Sequence, residues 1–306
     1  MTGRRRGATL SAFTVGAAGS VLAAALLKGR PPGGVERWTR ENHAGRPVTL
    51  FEGPAYAVAA VTGALAGGAG APAAVSGLGA AAFGGLDDLA GDSSRKGLRG
   101  HLAAARRGEV TTGAIKILGL GVTGLLSARL IDRSRGSNQV MTTLVGGAVI
   151  AGSANIANLL DLRPGRALKV VLLLAAPIAA GGRGTHLATA TSSANTNTNA
   201  NGNANFAAAA TAGAVAGAAI GSLPDDLAGR SMLGDTGANS AGALLGTALV
   251  ARTGPRGRLL ALAVVMALTL ASEKVSFTKV IESTPGLREL DAFGRPPWSS
   301  PTAPPT

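Results

Sequence analysis

Residues 139–161 read QVMTTLVGGAVIAGSANIANLLD, an apolar run without any charge until its final aspartate. A run of this kind matches the roughly 20 residues that a helix needs to cross the hydrocarbon core of a bilayer. Comparable runs recur along the 306-residue chain, which is 46% hydrophobic and only 15% charged. These are too few charges for the surface of a soluble protein of this size. The sequence therefore predicts an all-α, polytopic membrane bundle.

The apolar runs predict about nine membrane helices. They form a single domain over residues 1–295, followed by a disordered, proline-rich tail over residues 296–306. The uncharged segment TATSSANTNTNANGNAN, residues 189–205, is interpreted as a flexible linker because its composition cannot bury a core. The helices are predicted near residues 8–28, 54–70, 71–86, 111–128, 139–158, 167–182, 206–222, 238–251 and 258–272.

The distribution of charge predicts the orientation in the membrane. Nine helices put the termini on opposite sides of the membrane. Of the two possible orientations, the one with a cytoplasmic C-terminus places 19 of the 29 Lys and Arg residues in the cytoplasm. The same choice places 15 of the 16 acidic residues there and leaves only Asp132 outside. The run of arginines at positions 4 to 6 opposes this choice. We therefore predict a multi-pass protein with a cytoplasmic C-terminus and active site. Arginine outnumbers lysine 23 to 6 in this Ala- and Gly-rich chain, which suggests a GC-rich genome and a bacterial plasma membrane.

Composition also excludes several classes of function. The net charge of +13 is explained by topology and anionic lipid, and nucleic acid is not an expected partner because aromatic residues are only 3% of the chain. The chain has no cysteine, which excludes disulfides and thiolate chemistry. Its histidines, His43, His101 and His186, lack the spacing of a zinc site.

Three short acidic motifs end or follow apolar runs on the predicted cytoplasmic side. Their aspartates are therefore expected around one cleft, where they would hold a cation against a phosphorylated substrate. This geometry points to phosphoryl chemistry at a bilayer surface. The motifs are GLDDLAGD at residues 85–92, NIANLLD at residues 155–161 and MLGDTGAN at residues 232–239.

The first motif offers two adjacent carboxylates. Asp87 and Asp88 can bind Mg²⁺ while leaving ligand positions for phosphate oxygens, or one of them can act as a base. The alternative is structural, with the pair capping the next segment and pairing with Arg95 and Lys96. Residues 96–116 add cations and hydroxyls suited to a nucleotide or lipid phosphate, although a headgroup rim would look the same. Their candidate substrate-binding side chains are Lys96, Thr112 and Lys116.

The second and third motifs also have two interpretations each. Asn158 and Asp161 share one helix face, and Arg166 shortly after them suits a phosphate or simply neutralises Asp161. In the third motif the glycines allow close approach to a ligand, so that Asp235 can bind a metal and Asn239 the substrate. A helix-capping turn would have the same sequence.

Taken in order, these motifs resemble the polyprenyl-phosphate sugar-1-phosphate transferases, a membrane superfamily. The superfamily includes the phospho-N-acetylmuramoyl-pentapeptide transferase and the UDP-N-acetylglucosamine–undecaprenyl-phosphate transferase. The resemblance covers roughly 240 residues. It rests on the acidic pair followed by KGL at residues 96–98, on NLLD at residues 158–161 and on GDTG at residues 234–237. The RPVT of residues 46–49 loosely resembles the family's Pro-Thr region.

The resemblance implies a Mg²⁺-dependent reaction of cell-wall (peptidoglycan-type) synthesis. A polyprenyl phosphate attacks the β-phosphorus of a UDP-sugar, which gives a lipid diphosphate sugar and UMP. Carried over, Asp87 and Asp88 are catalytic, Asp235 and Asp88 hold the metal, and Asn158 and Asp161 contact the nucleotide. A homodimer is left open.

The sequence departs from the family at three places. Gly91 stands where a lysine is expected, Pro164 stands where a second aspartate is expected, and residues 273–306 contain no histidine. These departures favour the alternative of a non-catalytic protein that binds lipid phosphate or acts as a scaffold. A third alternative is an intramembrane prenyltransferase, in which Asp225 and Asp226 would have to supply the second aspartate-rich site.

Overall fold

A computed structural model of the chain describes residues 2–42, 45–90, 111–181 and 196–296. These ranges are almost wholly helical, which confirms the all-α class. Their eleven α-helices are α1 (Thr2–Gly29), α2 (Glu52–Ala66), α3 (Ala71–Ala90), α4 (Thr112–Ser134), α5 (Val140–Leu160), α6 (Arg166–Ala180), α7 (Thr196–Leu227), α8 (Gly234–Arg252), α9 (Pro255–Ser272), α10 (Phe277–Ser283) and α11 (Leu287–Ala292).

Each of the nine predicted apolar segments coincides with one of the helices α1 to α9. The break between α2 and α3 has a clear local cause. Gly68 and Gly70 both adopt positive φ angles, 83° and 74°, which side chains with a Cβ rarely tolerate. The chain therefore turns sharply there and starts a second helix.

Within the described residues, five helices are long and apolar enough to cross a membrane: α1, α4, α5, α7 and α9. The count of nine spans is not confirmed. Helices α2 and α6 have 15 residues each, or about 22 Å of helix, against a hydrocarbon core of about 30 Å. The apolar face of α9 is almost entirely uncovered, with leucines such as Leu260 and Leu270 exposed. These features indicate a membrane protein.

Helix α8 lies at the centre of the bundle. Sixteen of its nineteen residues are buried, and it packs against every helix from α2 to α7. Small side chains allow this close packing. A Cβ on Gly84 of α3 would lie 2.2 Å from the carbonyl oxygen of Asp235, and one on Gly53 of α2 would lie 2.3 Å from that of Leu233. The start of α8 is therefore fixed by direct backbone contact with two other helices.

Successive helices run in opposite directions, so the bundle has two chemically different ends. At one end Lys28 of α1 pairs with Asp225 of α7. At the other end Arg135, just after α4, donates to the carbonyls of Val250 and Thr253 at the end of α8. We call the first the acidic end, because the described acidic residues of the three motifs lie there.

A small β-hairpin connects two elements of the acidic end. Strands β1 (Thr39–Glu41) and β2 (Pro47–Thr49) pair antiparallel. The backbone of Thr49 exchanges hydrogen bonds with the segment that leads into α8, accepting from Met232 N at 3.0 Å. Arg40 donates to the carbonyl oxygen of Asp88 at the end of α3. The hairpin thus positions the end of α3 relative to the start of α8.

The flexible-linker prediction for residues 189–205 is wrong for its second half. Helix α7 begins at Thr196, and residues 196–205 form its first turns. Ala204, in this stretch, is only 7% exposed, so tertiary packing contributes to holding the helix despite its polar composition. Residues 189–195 and the predicted tail from residue 297 onward lie outside the described residues.

Candidate functional site

A lysine joins two aspartates from different helices at the acidic end. The Lys116 Nζ, in the second turn of α4, donates to Asp87 Oδ2 at 2.7 Å and to Asp235 Oδ2 at 2.5 Å. Asp87 comes from the last turns of α3 and Asp235 from the first turn of α8. The three side chains are 15–21% exposed, so solvent reaches them. We call this arrangement the lysine bridge.

Asp88, the neighbour of Asp87, caps helix α8. Its Oδ1 accepts from the backbone N–H of Asp235 at 2.9 Å, and its Oδ2 accepts from the N–H and the hydroxyl of Thr236 at 2.8 and 2.6 Å. A carboxylate at a helix N-terminus satisfies free amide groups and interacts favourably with the helix dipole. Both carboxylate oxygens are therefore engaged in positioning Asp235.

The two aspartates of the lysine bridge differ in acidity. Burial disfavours the charged form of Asp87, but hydrogen bonds with Asp235 and Lys116 outweigh this and lower its pKa to about 2. Burial and the hydrogen bond with Asp87 raise the pKa of Asp235 to about 7. Near neutral pH Asp87 is thus ionised, whereas Asp235 is partly protonated. Such a split is typical of two carboxyl groups that share one site.

A second set of carboxylates lies deeper: Glu52, Asp161 and Asp226, each at most 8% exposed. We call it the buried acid group. Asp161 Oδ2, Asp226 Oδ2 and both oxygens of Glu52 have no hydrogen-bond partner within the described ranges. Burial, followed by the neighbouring negative charges, raises the pKa of Glu52 and of Asp161 well above the usual range. The backbone N–H of Gly234 donates to Asp161 and joins this group to the start of α8.

The structure thus brings together Asp87, Asp88, Asp161 and Asp235, as the three motifs predicted. Among the predicted substrate-binding residues, Thr112 hydrogen-bonds to Asp87. Asn158 is half-buried at the end of α5, next to Asp161. Asn239 is fully buried one turn after Asp235, and neither of its amide atoms has a partner among the described residues. Lys96 lies outside the described residues.

Arg166 does not take either of its predicted roles. Its guanidinium forms a buried, two-point ion pair with Asp291 of α11, at 2.7 and 3.1 Å, and also donates to Thr278 of α10. The side chain is only 3% exposed, so no phosphate reaches it. The nearby Arg163 pairs with Glu282. Acids from the C-terminal helices, rather than Asp161 or a ligand, therefore neutralise these arginines.

Asp225 and Asp226 do not form a second exposed aspartate pair. Asp225 makes ion pairs with Lys28 and Arg230, whereas Asp226 is buried and accepts from the backbone of Gly165. Their likeness to the first acidic motif is one of sequence only. The two side chains have different partners and different exposure.

Two residues of the site were missed by the sequence interpretation. Glu52 could have been recognised in the sequence, because it is a lone acid at the start of an otherwise apolar helix, where ionisable residues are usually functional. Arg40 had no such signal. Its guanidinium reaches Asp88 only because the hairpin folds over the end of α3.

The lysine bridge marks a place for a cation. An ammonium already lies between one oxygen of Asp87 and one oxygen of Asp235, so two carboxylates converge on a single positive charge. Within the part of the chain that the structure describes, no group of three or more His, Cys, Asp or Glu side chains is arranged to hold a metal. Two carboxylates nevertheless suit Mg²⁺, which is commonly bound by one or two carboxylates together with substrate phosphates.

No protein-family model and no curated protein matches this chain. Any function must therefore be argued from the residues of the site.

Proposed function

We propose that the protein transfers a sugar-1-phosphate from a UDP-sugar to a polyprenyl phosphate at the cytoplasmic face of a bacterial plasma membrane. The observation that supports this proposal most directly is the lysine bridge. Carboxylates from two helices that are far apart in sequence converge on the ammonium group of Lys116, at a solvent-accessible end of a membrane bundle. A nine-span topology would place all three acidic motifs on that face.

In this proposal Asp87 and Asp235 hold Mg²⁺, and Asp88 orients Asp235 through the start of α8. Thr112 fixes the carboxylate of Asp87 by its hydrogen bond. The bound metal would neutralise the diphosphate of the donor. The ammonium of Lys116, beside the same carboxylates, suits a phosphate oxygen of either substrate.

The reaction itself needs little acid–base chemistry from the protein. A phosphate oxygen of the lipid forms a bond to the β-phosphorus, while the bond from that phosphorus to the bridging oxygen breaks and UMP leaves with the electron pair. With a pKa of about 2, Asp87 is too weak a base to be useful as a proton acceptor at neutral pH. Its contribution is therefore to position and stabilise charge rather than to accept a proton.

The test is release of UMP by purified protein supplied with undecaprenyl phosphate, Mg²⁺ and a panel of UDP-sugars. If the metal supplies several kcal/mol of charge stabilisation, Asp235→Asn should lose about two or more orders of magnitude in turnover, each tenfold being roughly 1.4 kcal/mol. Asp87→Asn should lose turnover as well. The matched control is Asp225→Asn at the same end, which should retain activity.

One observation favours a second candidate, a non-catalytic protein that binds lipid phosphate. Arg166 follows the second motif, but its side chain is buried and its charge is neutralised by Asp291. Gly91 and Pro164 also stand where the family has a lysine and an aspartate. The site therefore lacks three charged groups that would bind a nucleotide donor. A wild-type protein that binds polyprenyl phosphate but releases no UMP from any donor would support this candidate. Turnover that persists in Asp235→Asn would refute the assignment of the metal site.

A further inference from the structure

A polar cavity of about 460 Å³ lies at the end of the bundle opposite the acidic end. Asp132, which lines it, is 16 residues after Lys116 on the same helix, so about 24 Å of helix separates the cavity from the lysine bridge. Three arginines, Arg135, Arg252 and Arg258, line the cavity as well. We call it the arginine cavity.

The arginine cavity carries an excess of positive charge. Among its described lining residues the single acid is Asp132, and Arg258 neutralises its charge, with contacts of 2.7 and 3.0 Å between the guanidinium nitrogens and the two carboxylate oxygens. Arg135 donates to backbone carbonyls at the end of α8, and Arg252 donates to those at the end of α6. Carbonyls are neutral, so among the lining residues that the structure describes three positive charges face one negative charge, a net charge of +2.

Two buried donors of this lining are unsatisfied. The Nε atoms of Arg135 and Arg258 have no hydrogen-bond partner in the described part of the chain. Arg258 is only 1% exposed. An unsatisfied buried donor costs about 1–3 kcal/mol, and more when it belongs to a charged group. Burial and the nearby charge of Arg258 also lower the pKa of Arg135, as expected where like charges are held together.

An anion with several acceptor oxygens would balance the excess positive charge of this lining. The guanidinium fork matches the oxygens of a phosphate, and the side-chain amides of Asn201 and Asn205 on α7 add neutral donors to the lining. The cavity includes the first turn of α9, whose apolar face is uncovered and suited to lipid. We propose that the arginine cavity is a binding site for a phosphate group, either free phosphate or the phosphate of an anionic lipid headgroup.

The test uses two isosteric substitutions that add the same charge. Asn205→Asp places a carboxylate in the lining of the cavity. Asn203→Asp places one on an exposed part of the same helix, outside the cavity lining. Binding of inorganic phosphate is measured by calorimetry on the full chain in zwitterionic nanodiscs. Retention of phosphatidylglycerol is measured by native mass spectrometry from mixed nanodiscs.

Wild type and Asn203→Asp should bind one of the two probes, and Asn205→Asp should bind it at least about tenfold more weakly, which is roughly 1.4 kcal/mol. Saturable binding of inorganic phosphate identifies free phosphate, and selective retention of phosphatidylglycerol alone identifies a headgroup; both support the site. If Asn205→Asp unfolds, Gln139→Glu, which also adds a carboxylate to the lining, replaces it. The proposal is overturned if wild type binds neither probe, or if both aspartate variants weaken binding equally.

Discussion

At the scale of single residues, the ion pair of Asp132 and Arg258 shows that a charge which looks isolated in the sequence can have a partner far along the chain. The sequence shows Asp132 only as a lone outer acid. In the fold its carboxylate is almost fully buried, receives two guanidinium contacts and accepts from the hydroxyl of Thr143 at 2.7 Å. The arginine comes from a helix 126 residues later. Asp132 therefore supports the packing of α4, α5 and α9.

Asp132→Asn should lower the free energy of unfolding by about 3–5 kcal/mol, because it leaves the Arg258 charge buried without a counter-charge. Chemical denaturation in detergent micelles measures this change. The matched control is Asp225→Asn, whose ion pairs are exposed and should contribute at most about 1 kcal/mol. Equal losses in the two variants would contradict the importance of burial.

Glu52 leads to a prediction about pH. Its pKa is raised in the folded protein by burial and then by neighbouring acids, so the folded state holds a proton that the unfolded state releases above pH 4.5. Stability should therefore fall as pH rises from about that value towards the folded pKa. Glu52→Gln should raise the unfolding temperature at pH 8 and change it much less at pH 5. Thermal unfolding at both pH values tests this, with the exposed Glu41→Gln as control; an equal effect at both would refute it.

At the scale of elements, the contact between α3 and α8 sets the geometry of the acidic end. Gly84 lies against the backbone of Asp235, only three residues before Asp87. A side chain there would push the two helices apart. Asp87 and Asp235 would then no longer converge on Lys116.

Gly84→Ala should destabilise the protein by about 1–3 kcal/mol, because its methyl group has no space beside the α8 backbone. Gly121→Ala, in α4, is the matched control, since nothing lies within 4 Å of its added Cβ. It should be neutral or stabilise by up to about 1 kcal/mol through helix propensity. Unfolding in detergent compares the two, and similar stabilities of the two variants would show that the α3–α8 contact is not tight.

Much of this architecture could be predicted from hydropathy alone, because long apolar runs separated by charged loops fix where helices begin and end. One exception is residues 196–205, where an asparagine-rich composition hides the start of a helix. The hairpin and the short helices α10 and α11 were not predicted either, because they lack long apolar runs. For the site, the pattern of motifs was sufficient to predict that Asp87, Asp161 and Asp235 lie at the same end of the bundle. The pairing of Arg166 with Asp291 was beyond sequence reasoning, because it depends on how helices 125 residues apart pack.

At the scale of the whole molecule, the two ends of the bundle imply an orientation. The acidic end must face the compartment that holds nucleotide sugars if the proposed function is correct. The nine-span prediction, with its bias of Lys and Arg, would put this end in the cytoplasm. The chain has no cysteine, so single cysteines can report on each end without background.

Asn203→Cys, exposed at the end that carries the arginine cavity, should react with a membrane-impermeant maleimide in intact cells. Arg288→Cys, exposed on α11 at the acidic end, should react only after permeabilisation. Gel-shift labelling distinguishes the two variants. The reverse pattern would place the lysine bridge outside the cell and refute the transfer of a sugar phosphate from a cytoplasmic donor.

The residue just before the hairpin of the acidic end is a natural fluorophore. Trp38 lies with its ring centroid 5.7 Å from that of Phe51, and two residues later Arg40 holds the end of α3. The chain has one other tryptophan, Trp298. In a Trp298→Phe background, excitation selective for tryptophan over Tyr56 would give emission from Trp38 alone. Titrating Mg²⁺ or a nucleotide sugar against that emission would follow events at the lysine bridge without any attached dye.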